Sequence, residues 1–150
     1  MIKAYVDGSY DRRKSHYAGW AYLILTDEEI EDYGITKEVA ESWNINGEIE
    51  AVIQVINKAV SLGIKELNIH HDYNGIEKWA KGKWKAKSKV GQDYQRFILS
   101  THDKIKLQFT KVKSHSGDVH NDRVDFLASI GLNENGGNFN IFNTERFNNF

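Results

Sequence analysis

The chain has 150 residues, 20 basic and 21 acidic, with a net charge of -1, so attraction of the whole molecule to a polyanion is excluded and only a local patch could serve that purpose. It has no cysteine, which removes disulfides, thiolate chemistry and cysteine-ligated zinc. No apolar run approaches ~18 residues, no Asn-x-Ser/Thr sequon occurs and no signal-peptide pattern opens the chain, which leads to the expectation of one cytoplasmic domain that spans no membrane.

Residues 2–6 are rich in β-formers and stop at Asp7, followed by Gly8 and Ser9. That is the pattern of a strand delivering an acid to its C-terminal end before a turn. A polar stretch over 11–16 leads to a second strand over 17–25. Residues 30–43 read as a third strand with broken alternation, and the three together predict an antiparallel meander. The period changes at Asn46: Ile49, Val52, Ile53, Ile56, Ala59 and Val60 recur at three- and four-residue spacing, the apolar face of a helix ending near Gly63. Asn44 or Asn46 could cap it. Glu48 then lies near its first turn, where an acid could simply complement the helix dipole.

Residues 64–70 form a fourth predicted strand, again followed by an acid, Asp72. Strand, helix and strand in this order imply a parallel pair joined by a right-handed crossover, with Asp7 and Asp72 leaving the same carboxyl edge. A short helix over 73–81 leads into Lys83, Trp84, Lys85, Lys87 and Lys89. This alternation reads either as an ordinary solvated surface or, beside an acidic site, as a series of phosphate contacts with Trp84 packing on sugar. A helix over 92–101 and a strand over 105–112 follow. Val119 begins or precedes the last helix, in which Asp125 lies among the apolar Val124, Phe126, Leu127 and Ile130. An acid so placed must face solvent, a cation or a donor. From Leu132 onward the Asn- and Phe-rich segment, 132–150, reads as a C-terminal tail.

Asp7, Glu48, Asp72 and Asp125 thus flank one edge of the predicted sheet. Crowded carboxylates raise one another's pKa unless something compensates, and hard divalent cations with oxygen ligands would do so. Acids rather than histidines or cysteines favour Mg²⁺ or Mn²⁺ over zinc, and a pair of such ions suits phosphodiester hydrolysis.

Four segments in register resemble type 1 ribonuclease H: Val6-Asp7-Gly8-Ser9, Asn44-Ile45-Asn46-Gly47-Glu48, His71-Asp72-Tyr73, and the run from Lys111 through His115 and Asn121 to Asp125. The resemblance covers residues 1–131. It implies an α/β ribonuclease H-like fold, a five-stranded mixed sheet of three antiparallel strands and two parallel additions, flanked by helices. It also implies cleavage of the RNA strand of an RNA–DNA hybrid by two metal ions, Mg²⁺ or Mn²⁺, leaving 5′-phosphate and 3′-hydroxyl ends. On this likeness Asp7, Glu48, Asp72 and Asp125 bind metal, and His115 assists proton transfer or product release, roles open to a group titrating near neutrality. Gly8, Ser9, Asn44 (or Asn46), Gly47 and Asn121 would meet the hybrid. Trp79, Lys83, Trp84, Lys85, Lys87 and Lys89 resemble the basic protrusion that holds the DNA strand. The chain is expected to act as a monomer, with a larger assembly or a hybrid-binding module N-terminal to it, as some relatives carry, as the alternatives.

The chain departs from the family pattern in several places. A charged stretch over 10–16 replaces the usual glycine-rich segment, the basic protrusion is short, and Gly47 precedes the glutamate where a bulkier residue is common. Two other readings stand beside the first: a non-catalytic hybrid-binding or structural module, and a nuclease for double-stranded RNA or DNA. The presence of all four acids argues against the module; the Gly-Ser signature and the basic segment argue against the other substrates.

Overall fold

Alternation in the first strand sets the two faces of the sheet. In β1 (Ile2–Ser9) Ala4 and Val6 enter one apolar core and Tyr5 enters a second on the opposite side. The computed structural model describes residues 1–113 and 117–135. β2 (Gly19–Leu25) runs antiparallel to β1 and to β3 (Glu29–Ile35). Helix α1 (Asn44–Ser61) then carries the chain across the sheet to β4 (Glu66–His71), which pairs parallel to β1. After α2 (Asn74–Ala80) and α3 (Lys89–Ser100), β5 (Lys106–Lys111) adds parallel to β4, and α4 (Val119–Asn135) closes the described chain. The strand order is β3-β2-β1-β4-β5, the mixed five-stranded sheet expected from the sequence.

The central strands are covered on both faces. Trp20, Tyr22 and Ile24 of β2 join Val52, Val55, Ile56 and Ala59 of α1 in the larger core, while Ala21 and Leu23 meet Val124, Leu127 and Ala128 of α4. Burying this apolar surface supplies the main driving force for the fold. On α4 a Cβ at Gly131 would lie 2.3 Å from the Gly34 carbonyl oxygen, so the helix rests directly on the backbone of β3. No described helix is long and apolar enough to cross a membrane.

Several boundaries differ from those predicted. β3 stops at Ile35 because the Thr36 hydroxyl accepts the Ala18 N–H at 3.1 Å and donates to the Glu38 carbonyl, diverting the chain from the ladder. Neither Asn44 nor Asn46 caps α1: Trp43 holds the cap position, and Asn46 Oδ1 accepts the Ser42 N–H at 2.6 Å. α3 starts three residues earlier than expected because the Ser88 hydroxyl accepts the Gly91 N–H. α4 extends to Asn135, with Leu132 buried, so the start of the expected tail is helix. Phe126, expected inside, is 55% exposed beside the Arg123 guanidinium. The buried stripe is Val124, Leu127, Ala128 and Gly131, at helical spacing, and Phe126 falls on the far side.

Candidate active site

Strand register explains why two acids separated by more than sixty residues meet. Tyr5 pairs with His70, so two residues on, Asp7 and Asp72 leave neighbouring strands at the same level. The third acid comes from α1, and the contact that admits it is made of glycine. A Cβ on Gly8 would lie 2.3 Å from the Asn44 carbonyl oxygen and 2.4 Å from the Glu48 amide nitrogen; one on Gly47 would lie 2.1 Å from the Gly19 carbonyl oxygen. Only glycine lets the first turn of α1 sit this close to the end of β1. The fourth acid, Asp125, reaches the same edge from α4 on the other face, close enough to hydrogen-bond to Asp7.

Glu48 is 2% exposed, and its Oε1 accepts the Asp72 N–H at 2.7 Å and the Tyr73 N–H at 3.3 Å. These two donors fix the carboxylate on the end of β4. Burial, followed by the charge of Asp7, pushes its pKa up to about 8 despite them. Asp7 accepts the Gly8 N–H at 2.8 Å, and its pKa is pushed up to about 7, chiefly by burial and further by Asp125 and Asp72. The charges that raise these two groups are other carboxylates. Among the described residues no three acidic or imidazole side chains converge into a ready-made cation cage. The chemistry of the donor set still fits a hard divalent cation: all donors are oxygen, Glu48 among them is buried and Asp7 half-buried, and the repulsion between carboxylates is the energy a cation would relieve.

The other expected site residues fall into three groups. His115 lies outside the described residues. Asn44 is exposed at the start of α1 and Ser9 is half-buried at the end of β1, whereas Gly8 and Gly47 are buried against each other. Asn46 is 8% exposed, its side-chain oxygen committed to Ser42, and Asn121 is 7% exposed within the first turn of α4. The basic segment has no helix of its own; 81–88 is the connection between α2 and α3. Trp79 and Trp84 form an aromatic cluster with Tyr73, at ring separations of 5.6 to 6.3 Å, and Gln95 Nε2 donates to the carbonyls of both tryptophans. Lys83, Lys85 and Lys87 are exposed around this cluster, while Lys89 pairs with Asp93 at 2.7 Å.

Sequence reasoning missed one polar cluster beside the site. The Asp118 Oδ1 accepts the N–H groups of His120 and Asn121, capping α4, and its Oδ2 accepts the Tyr5 hydroxyl at 3.3 Å. Tyr5 in turn stacks on His70 at 4.4 Å. An aspartate just before the last helix was the available signal.

The RNase H family model matches residues 1–133. Curated relatives include ribonuclease H of Hyphomonas neptunium, 30% identical over 89% of this chain and 93% of its own, and ribonuclease H of Syntrophomonas wolfei, 29% identical over 85% and 92%. Among solved structures, RNase H1 of Halobacterium salinarum aligns with a TM-score of 0.73 at 20% identity, covering 88% of this chain and 97% of the other. LC11-RNase H1, crystallised in complex with an RNA/DNA hybrid, aligns with the same score and identity over 89% and 97%.

Proposed function

Since the chain belongs to the ribonuclease H family of hydrolases, we propose that it cleaves the RNA strand of RNA–DNA hybrids with Mg²⁺ or Mn²⁺, leaving 5′-phosphate and 3′-hydroxyl ends. The observation that carries this reading is the gathering of Asp7, Glu48, Asp72 and Asp125 at one sheet edge, where burial and neighbouring carboxylates raise both Asp7, beside Asp125 and Asp72, and Glu48, beside Asp7 and Asp72. Asp7, Glu48, Asp72 and Asp125 would hold two divalent cations, which when bound would supply an activated water and stabilise the leaving oxygen. The chain's own residues arrange the rest. Asp7, oriented by the Gly8 N–H, stands between Asp72 and Asp125 and presents its carboxylate to both. Glu48, locked by the two N–H donors of 72 and 73, keeps its second oxygen for a ligand.

Hydrolysis joins the water oxygen to phosphorus and releases the 3′-oxygen of the preceding ribose, so each cut leaves the stated ends. Asn44 and Ser9 contact the hybrid beside the acids, and Gly8 and Gly47 bring the backbone that carries them into place. Lys83, Lys85 and Lys87, with Trp79 and Trp84, hold phosphates and sugars of the DNA strand, which positions a duplex without reading its sequence. His115 assists proton transfer or product release. The cytoplasmic, monomeric setting expected from the sequence accords with this reading.

The test is a strand-resolved assay. A hybrid labelled on RNA should be cut by the wild-type protein with either cation, and Asp7→Asn should lower the rate by at least about a thousandfold while keeping the fold. Wild-type-like turnover by purified Asp7→Asn protein, or preferential cutting of double-stranded RNA or DNA, would defeat the proposal.

A further inference from the structure

At the start of α1, Tyr10, Asp11, Arg12, Arg13 and Trp43 line an open depression of about 550 Å³. Trp43 is 64% exposed and belongs to neither apolar core. It is also the one non-glycine residue with positive φ among those described, at 56°. Such a backbone is costly for anything but glycine, and burial does not repay it here. The surrounding bonds hold it firmly: Trp43 N–H to the Ala40 carbonyl, Asn46 N–H to the Trp43 carbonyl, and Ser42 N–H to Asn46 Oδ1.

The charges beside it are sorted. Arg13 forms a two-pronged ion pair with Asp11, both bonds at 3.0 Å, while Arg12 is exposed and makes no ion pair among the described residues. The depression therefore offers an indole face and one free guanidinium. It adjoins the acids, because the residue after Trp43 is the one whose carbonyl packs on Gly8, next to Asp7.

We propose that Trp43 and Arg12 bind an unpaired nucleotide flanking the hybrid, so that this chain favours hybrids bordered by a single-stranded overhang. The inference rests on the hybrid-nuclease reading above and adds a specificity element to it. Within a duplex each base face is covered by its neighbours, so an exposed indole can stack only on a terminal or unpaired base, while the guanidinium takes the phosphate. Trp84 differs: its ring is engaged with Tyr73 and Trp79.

The test compares kcat and KM for blunt hybrids and for the same hybrids with 5′ or 3′ single-stranded extensions, in wild-type protein, Trp43→Gly, Trp43→Phe and Arg12→Ala. In the wild type an overhang should lower KM about tenfold with little change in kcat, the scale of one base–aromatic stack. That ratio should fall to about one in Trp43→Gly and persist in part in Trp43→Phe. Glycine suits the positive φ, so Trp43→Gly should melt no lower than wild type; a purely structural tryptophan would give the opposite shift. An equal KM for blunt and extended hybrids in the wild type, or an undiminished preference in Trp43→Gly, overturns the inference. If no hybrid is cut at all, the nuclease reading fails instead. Binding of a labelled single-stranded oligonucleotide then decides the patch: weaker binding to Trp43→Gly supports it, and equal affinity for wild type and Trp43→Gly overturns it.

Discussion

Glu48 shows how one buried side chain links stability to pH. Its carboxyl is raised to about 8 in the fold, against an ordinary value near 4.5, because burial and the charge of Asp7 disfavour ionisation. The stability it contributes is therefore fully present below about pH 4.5 and is lost as pH rises through about 8. In chelator, the wild-type protein should be more stable at about pH 5 than at about pH 8. Glu48→Gln can still accept the two N–H bonds but carries no charge, and it should flatten that slope. At about pH 8 the gain should be on the order of 2 kcal/mol, or roughly 4–8 °C in melting temperature. Thermal unfolding of both proteins across this range checks it; a wild-type stability that climbs with pH, and climbs equally in Glu48→Gln, would contradict the assignment.

At the scale of elements, the site depends on how closely α1 lies against β1. The Gly8–Gly47 contact brings the helix start to the strand end, and a methyl at 47 would strike the Gly19 carbonyl oxygen at 2.1 Å and Gly8 Cα at 3.0 Å. Both obstacles are backbone, so no side-chain rotation can relieve them. Gly47→Ala should cost about 3 kcal/mol and lower both melting temperature and hybrid cleavage, since the helix that carries Glu48 must move. Measuring both in one preparation is the check, and a variant with wild-type stability and rate would mean that the two elements are looser than their geometry implies. Helix ends were partly legible and partly not. Asp118 before α4 follows the usual capping preference, whereas α1 begins at a tryptophan because the Ser42–Asn46 bond and the glycine contact place it there.

For the whole molecule, the sheet gathers four acids from two strand ends and two helices on opposite faces, without a cage of three converging groups among the described residues. Cation binding and folding should therefore be coupled: a cation held by these acids would bind only the assembled edge and would relieve its repulsion. Adding saturating Mg²⁺ or Mn²⁺ should raise the melting temperature by a few degrees, about 1–2 kcal/mol. The shift should be larger at about pH 8 than at about pH 5, where protons compete for Asp7 and Glu48, and it should vanish in Asp7→Asn. A shift that survives in that variant would place the cation elsewhere.

Local rules in the chain already determined much of this. The strand that ends at Asp7, the three- and four-residue apolar period through Ile49 and Ile56, and the acid after the fourth strand are short-range patterns, and their order implies the parallel crossover that brings Asp7 and Asp72 to one edge. Tertiary packing alone decided the remainder. Phe126 faces solvent because α4 turns Val124, Leu127, Ala128 and Gly131 toward β2 and β3; Asn46 is committed to Ser42 by the turn before α1; and Trp43 is held at positive φ by bonds on either side. These outcomes depend on which surfaces meet once distant segments pack, and a pattern read along the chain contains no distance between residues that are far apart in it.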